Sequence, residues 1–411
     1  MNGVMTMTKM LKGKIVFWLL ILVICTAPAS FGIQSSQAAV AWPASDPGNT
    51  GGWIVNETFS DEFNGSSLNT TKWFNEHTYW SGRNPSQFDP SNVWISNGTA
   101  KLHTKNENLI KNGSFETGNL SNWSAWGSGT KSASVSAQYR DLYGVVINGQ
   151  GAVQQIITGL QPNTTYKLSA WLKKGSGSKV NVGVKNYGGI EKLKEVTSSS
   201  WTLGTVEFTT GSTNTSAEVY VYNVGGSGVV YGDEVSVVRK VNTASGKTML
   251  SDNYITSAVI QSKTKAPYGY YEVRMKAADA SHTSSFWLQG NYSEIDVVEA
   301  VGNATRNVHK DTIMPTNTHD FRNGWASDIA DPFDYQTNVR LAGNYHTYGV
   351  EWNQTQIKWY FDGQLIRTKS NSFIYENQYI FLDTEIFEWD GLPGDSLNSI
   401  FEVDYIRAWH K

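Results

Sequence analysis

The chain has 411 residues, too many for one ordinary domain and enough for two or three units that each bury a core. Aromatic residues make up 13%, charged residues only 17%, and 38 Gly punctuate short segments, a balance that favours β-sandwiches over helical bundles. A net charge of −3, without a Lys/Arg cluster beyond the N-terminus, excludes the electrostatic footprint of a nucleic-acid binder.

At the N-terminus, Lys9, Lys12 and Lys14 precede an apolar run from Ile15 to Ala27, and small residues follow at Ala38, Ala39 and Ala41. Residues 1–41 therefore read as an export signal, with cleavage expected near Ala39 or Ala41 and a secreted product. The apolar stretch is too short to be a stable membrane anchor. The single cysteine, Cys25, lies inside it, so the exported chain is expected to have no disulfide and no thiol chemistry.

From Trp42 to about Lys105 short apolar runs alternate with turn clusters such as Asp46-Pro47-Gly48-Asn49, and Gly98 to Thr104 alternates like an outer strand. A block then starts at Asn108-Leu109-Ile110-Lys111-Asn112-Gly113-Ser114-Phe115-Glu116 and closes near Tyr231–Val238. It has an expected opening strand, alternating stretches at Tyr166–Leu172, Lys179–Val184, Thr205–Thr209 and Ala217–Asn223, and a terminal strand, which together make a small sandwich. Polar residues from Asn242 to Lys247 read as the return linker. Strands resume at Gly269–Lys276, Ser285–Leu288, Tyr348–Trp352, Ile357–Phe361 and Phe401–Trp409, with Asp362-Gly363 as a hairpin signal. The expected architecture is all-β: a jelly-roll sandwich over 42–106 and 242–411, with a second, smaller β-sandwich (107–241) inserted in one of its loops.

The run Ser293-Glu294-Ile295-Asp296-Val297-Val298-Glu299 carries the chemistry. Strand pleating puts Glu294 and Asp296 on one face. An extra residue around Val297-Val298, a β-bulge, returns Glu299 to that same face. Three crowded carboxylates hold at least one proton near neutral pH, and a retaining glycosidase needs one ionised and one protonated carboxyl. A calcium site or a solvated strand edge also fits periodicity taken alone.

The run matches the bulged E-x-D-x-x-E signature of glycoside hydrolase family 16. Ser60–Gly65, Tyr268–Met275 and Val403–Ile406 resemble that family as well. The resemblance implies a concanavalin-like jelly roll, with Glu294 as nucleophile, Glu299 as acid/base and Asp296 as the helper beside the nucleophile. It needs no cofactor for catalysis. It also implies substrate contacts at Trp287, a platform beneath the reacting sugar, and at His319, Trp80 and Arg83, which resemble cleft positions of agarase-like and κ-carrageenase-like members. Glu385 and Trp389 are further cleft candidates. Because the text after Glu299 and around Asp383–Trp389 differs from that of laminarin-cleaving members, β-linked galactans of the agar, porphyran or carrageenan type are the expected substrates. An endo-β-1,3-glucanase and a non-catalytic lectin are the alternatives, and Arg83, Arg306 and Arg322 are candidates to meet sulfate esters.

The insert resembles carbohydrate-binding modules of the family 4/9/22 type, in Asn112–Glu116 and in Gly232-Asp233-Glu234-Val235. That likeness implies a structural calcium held by Glu116 and Asp233, and the family 16 likeness implies another at Asp404. Trp126, Tyr139 and Tyr187 are candidate glycan contacts of the module. A monomer acting on a polysaccharide is the expected form.

Overall fold

The computed structural model describes residues 42–177, 179–241, 246–250 and 252–411. The export segment with Cys25, and residues 242–245 of the return linker, lie outside the described residues. Regular structure is nearly all strand, and the helical pieces among the described residues are 3-10 turns of three residues.

Two large sheets enclose the main core. One runs in the order Gln364–Ser370, Gln356–Phe361, His346–Trp352, Gly269–Lys276, Asn398–His410, Thr99–Asn106, Ile255–Ser257 and Ser86–Phe88. The other, which carries the cleft, runs Trp73–Phe74, Val259–Ser262, Tyr379–Asp383, Thr283–Gln289, Ser293–Val301, Ile313–Asp320 and Ile329–Ala330. Alternation directs Tyr271, Val273 and Met275 of the first sheet, and Phe286, Leu288 and Ile295 of the second, into one shared core. Burying each such large side chain contributes about 1.5–3 kcal/mol. Tyr270 points the other way, yet it too is buried, because the N-terminal segment lays Trp53 over it with ring centroids 5.6 Å apart.

Strands between residues 124 and 239 pair only among themselves and build a second sandwich of two five-stranded sheets around its own core of Val, Leu, Ile and Phe. Its opening differs from the expected strand. Residues 108–116 form a chain of turns in which Asn112 (φ 53°) and Phe115 (φ 58°) are left-handed. A strand cannot continue through such residues. The turns drive Ile110 and Phe115 into the core, and Gly113 lies so close to Val235 that a Cβ there would meet its carbonyl oxygen at 2.1 Å.

Candidate active site

Directly opposed residues on neighbouring strands share a sheet face, so the pairing register of the cleft-bearing sheet reads as rows. His319, Glu294, Gln289 and Tyr379 form one row; Asn317, Asp296, Trp287 and Phe381 form the next; Glu299, Ser285 and Asp383 form the third. Between the second and third rows Trp287 opposes Asp296 and Phe286 opposes Val298, which leaves Val297 as the extra residue of a bulge. Val297 and Val298 are both fully buried in the core. Glu299 thereby reaches the face of Glu294 and Asp296.

These side chains line a cleft of about 570 Å³, together with His77, Tyr79, Trp80, Arg83, Asn317, His319, Phe321, Trp325, Asp328, Glu385, Phe387 and Trp389. Trp287 lies flat on Phe381, with centroids 4.2 Å apart and planes at 15°, so the floor beside Asp296 is a rigid aromatic surface. Aromatic rings continue on both sides. His319 stacks on Phe321, which packs on Trp325 at 4.0 Å. On the other side the Arg83 guanidinium lies 5.1 Å from the Phe387 ring and 5.7 Å from the exposed Trp389 ring. Flat rings flanked by a few polar groups suit the apolar faces of sugars.

Burial raises the proton affinity of both Glu294 and Glu299 well above the ordinary carboxyl range, and the Asp296 charge adds to each. The two differ in their donors. Gln289 Nε2 donates to Glu294 Oε2, and Tyr79 in turn donates to Gln289 Oε1. His319 Nε2 lies 3.8 Å from Glu294 Oε1. Glu299 instead shares its surroundings with Glu385, whose charge raises it further, while Arg83 counteracts. A direct donor thus supports the charged form of Glu294, whereas Glu299 has the Glu385 carboxylate for a neighbour, and the His319 charge acts on both.

His319 faces three carboxylates: Asp296 at 3.2 Å, Glu294 at 3.8 Å and Asp328, to which Nδ1 donates at 2.7 Å. Burial lowers its pKa, but the contact with Asp296 and the surrounding charges outweigh this and push it up to about 10. The Asn317 amide works the other way. Its oxygen accepts the N–H groups of Thr318 and Asp331, so its NH₂ faces Nε2 at 2.9 Å. These carboxylates outweigh one neutral contact, which favours the imidazolium form of His319. His77 is the opposite case: burial alone holds it neutral, with its pKa down at about 4, and Nδ1 accepts the Trp80 N–H at 3.2 Å.

All nine cleft candidates named from the sequence line this one cavity. Glu385 is buried and ion-paired to Arg83 at 2.6 Å. Of the three arginines considered for sulfate, only Arg83 lines the cleft; Arg306 pairs with Asp141 and Arg322 with Asp320. Sequence reasoning missed His77, Tyr79, Gln289, Asn317, Phe321, Trp325, Asp328 and Phe387. Period two was an available signal for three of them, since Gln289, Asn317 and Phe321 are each two residues from Trp287 or His319.

Calcium gathers six to eight oxygens, and the expected ligands fit that demand unevenly. Asp404 gives one oxygen, Oδ2, to Arg274 at 2.5 Å. Asp233 is fully buried and spends its oxygens on the N–H groups of Tyr139, Arg140 and Glu234 at 2.8, 3.1 and 2.7 Å. It does not fit the ligand role. The next residue does: Glu234 Oε1 and Asn112 Oδ1 are buried without a hydrogen-bond partner among the described residues. They border two small cavities that share Ser114 and Asp395, and Glu116 lines the larger. In the module Tyr187 is core, so it is no glycan contact; Trp126 is exposed and stacks on Tyr222 at 5.1 Å, and Tyr139 stacks on Trp171 at 3.9 Å.

A jelly roll whose aromatic-walled cleft presents three carboxylates from one bulged strand defines a glycoside hydrolase scaffold. The chain belongs to glycoside hydrolase family 16: the family model described as "Beta-porphyranase A-D, GH16 domain" matches residues 53–144 and 228–411. A carbohydrate-binding domain model matches residues 107–225. The chain is 39% identical over 127 residues to a keratan-sulfate endo-1,4-beta-galactosidase of Sphingobacterium multivorum, covering 31% of this chain and 30% of that protein. It is 28% identical over 189 residues to a kappa-carrageenase of Pseudoalteromonas carrageenovora, covering 38% of this chain and 47% of that protein. The chain thus spans less than half the length of either relative. Among solved structures, porphyranase B from Zobellia galactanivorans is similar over 87% of this chain and 92% of that one, with 16% identity and a TM-score of 0.47.

Proposed function

We propose that this protein is an exported, retaining endo-hydrolase of β-linked galactan. The observation that carries the reading is the row arrangement: Glu294 and Glu299 stand one row either side of Asp296 and Trp287 on one face of an open cleft. In a double displacement Glu294, ionised and oriented by Gln289, attacks the anomeric carbon from below the ring. Glu299 gives its proton to the departing glycosidic oxygen, which leaves a glycosyl–enzyme ester and a shortened chain. Glu299, now a carboxylate, takes a proton from water, which opens the ester and frees Glu294. Asp296, between them, raises the proton affinity of both carboxyls, and the cationic His319 beside it offsets that charge at Glu294. The aromatic surface running past the carboxylates on both sides, from Trp325 to Trp389, suits attack inside a long chain.

For the galactan assignment, support comes from the porphyranase family model and from relatives named for keratan sulfate and carrageenan. A reducing-sugar screen on agarose, porphyran, κ-carrageenan, laminarin and lichenan tests it. Release from the galactans is expected, and release only from the glucans would overturn the substrate while leaving the mechanism standing. We also propose a structural calcium at the module seam, held through Glu234 Oε1, Asn112 Oδ1 and Glu116. A chelator should then lower the melting temperature and added calcium restore it; a melting temperature indifferent to both would remove the ion.

A further inference from the structure

Arg140 belongs to the inserted module, in the loop that leads into Gly144–Asn148, and it is only 8% exposed. Its guanidinium donates in three directions. Nη1 binds Glu234 Oε2 at 3.1 Å inside the module, and Tyr254 donates to the same oxygen at 2.8 Å. Nη2 binds Asn84 Oδ1, and Nε binds Glu388 Oε1. Asn84 follows Arg83, and Glu388 lies between Phe387 and Trp389, so both distant partners are sequence neighbours of cleft residues. The next residue, Asp141, tightens the second loop by accepting the N–H of Leu392 at 2.9 Å and pairing with Arg306.

We propose that Arg140 is a positioning residue for the substrate cleft: one guanidinium of the inserted module fixes the two loops that carry Arg83, Phe387 and Trp389. The inference rests on the reading of this cleft as the substrate site. An ordinary ion pair ties two surfaces; this one ties two loops whose cleft-facing ends also meet each other. Arg83 lies 5.1 and 5.7 Å from the Phe387 and Trp389 rings and binds Glu385 at 2.6 Å, and Glu385 stands beside Glu299. Displacing either loop therefore moves Arg83 relative to the group proposed as proton donor. Nε, Nη1 and Nη2 each meet a different acceptor in one fixed plane, a spread that the compact ammonium of lysine does not reproduce.

The test compares Arg140→Met and Glu388→Ala with wild type by hydrogen exchange and by kinetics on a long galactan chain. The Glu388 side chain is 44% exposed, so its removal frees one loop while Arg140 keeps Glu234 as its buried counter-ion. Exchange should rise in residues 81–88 and 384–392 of Arg140→Met and in residues 384–392 of Glu388→Ala, and stay unchanged in the strands of the module. A misplacement of the order of an ångström should lower kcat/KM by about tenfold to a hundredfold, mainly through KM. The basic limb of its pH profile should move upward, because Arg83 no longer lowers the proton affinity of Glu299. A purely structural role would lower melting temperature and leave KM and the pH limb in place. If Arg140→Met does not fold, Glu388→Ala decides. Wild-type exchange in both loops, or a wild-type KM and pH limb in a folded variant, overturns the proposal. Should the wild type hydrolyse no galactan while both loops still loosen, the functional reading falls and the clamp stands.

Discussion

Replacing Gln289 by Leu isolates what keeps Glu294 ionised. Gln289 is buried, opposes Glu294 in the strand register, and donates to Glu294 Oε2 while Tyr79 fixes its other end. Leu has a similar volume and no donor, so Trp287 and the floor stay packed while the carboxylate loses one charge-assisted hydrogen bond. Such a bond contributes about 1.5–3 kcal/mol, equivalent to about one to two pH units in the pKa of the acceptor. Glu294 is already raised by burial and by Asp296, and the change raises it further. A nucleophile must be ionised, so the acid limb of kcat/KM should move upward by about one to two units, with the basic limb in place. Tyr79→Phe, which only frees the far end of Gln289, should shift the same limb less. A Gln289→Leu enzyme with a wild-type acid limb would refute the assignment of Glu294 as the ionised group.

His319→Asn removes the cation facing Asp296, Glu294 and Asp328, and should also shift the acid limb upward. It should change stability in a definite pH window. A folded-state pKa raised from 6.5 to about 10 stabilises fully below 6.5 and is lost as pH rises through 10, so the wild-type melting temperature should fall across that range more steeply than that of the variant. His77, held near 4, acts on the acid side: stability should decline as pH drops from 6.5 toward 4, and His77→Gln should flatten that decline. Trp389→Ala removes an exposed ring, so melting temperature should hold while KM for a long galactan rises by roughly tenfold.

The strand that carries the acids was legible because two simple rules meet there: pleat alternation, and one extra apolar residue that the core absorbs at Val297 and Val298. The aromatic floor was legible at Trp287 only through its place just before the motif and the family resemblance. Other parts depend on contacts distant in sequence. Tyr79 reaches Gln289 across 210 residues, and no local pattern announces that. At the end of the insert, the resemblance to carbohydrate-binding modules pointed to Asp233 as the ligand. Glu234 is left-handed (φ 51°) and the pairing with Thr165–Lys174 shifts there, so the backbone turns Asp233 onto amide donors and leaves Glu234 with the free oxygen. Tyr187, one of three candidate glycan contacts, instead packs on Phe208 at 5.1 Å inside the module core.

In the proposed double displacement, Glu294 and Glu299 work as nucleophile and acid/base from one bulged strand. Following the anomeric proton of the new reducing end by NMR during the first minutes of galactan hydrolysis tests it most directly. Double displacement predicts that the β-anomer appears first and the α-anomer grows in only by mutarotation. An initial α-anomer would mean a single displacement by water and would contradict the account.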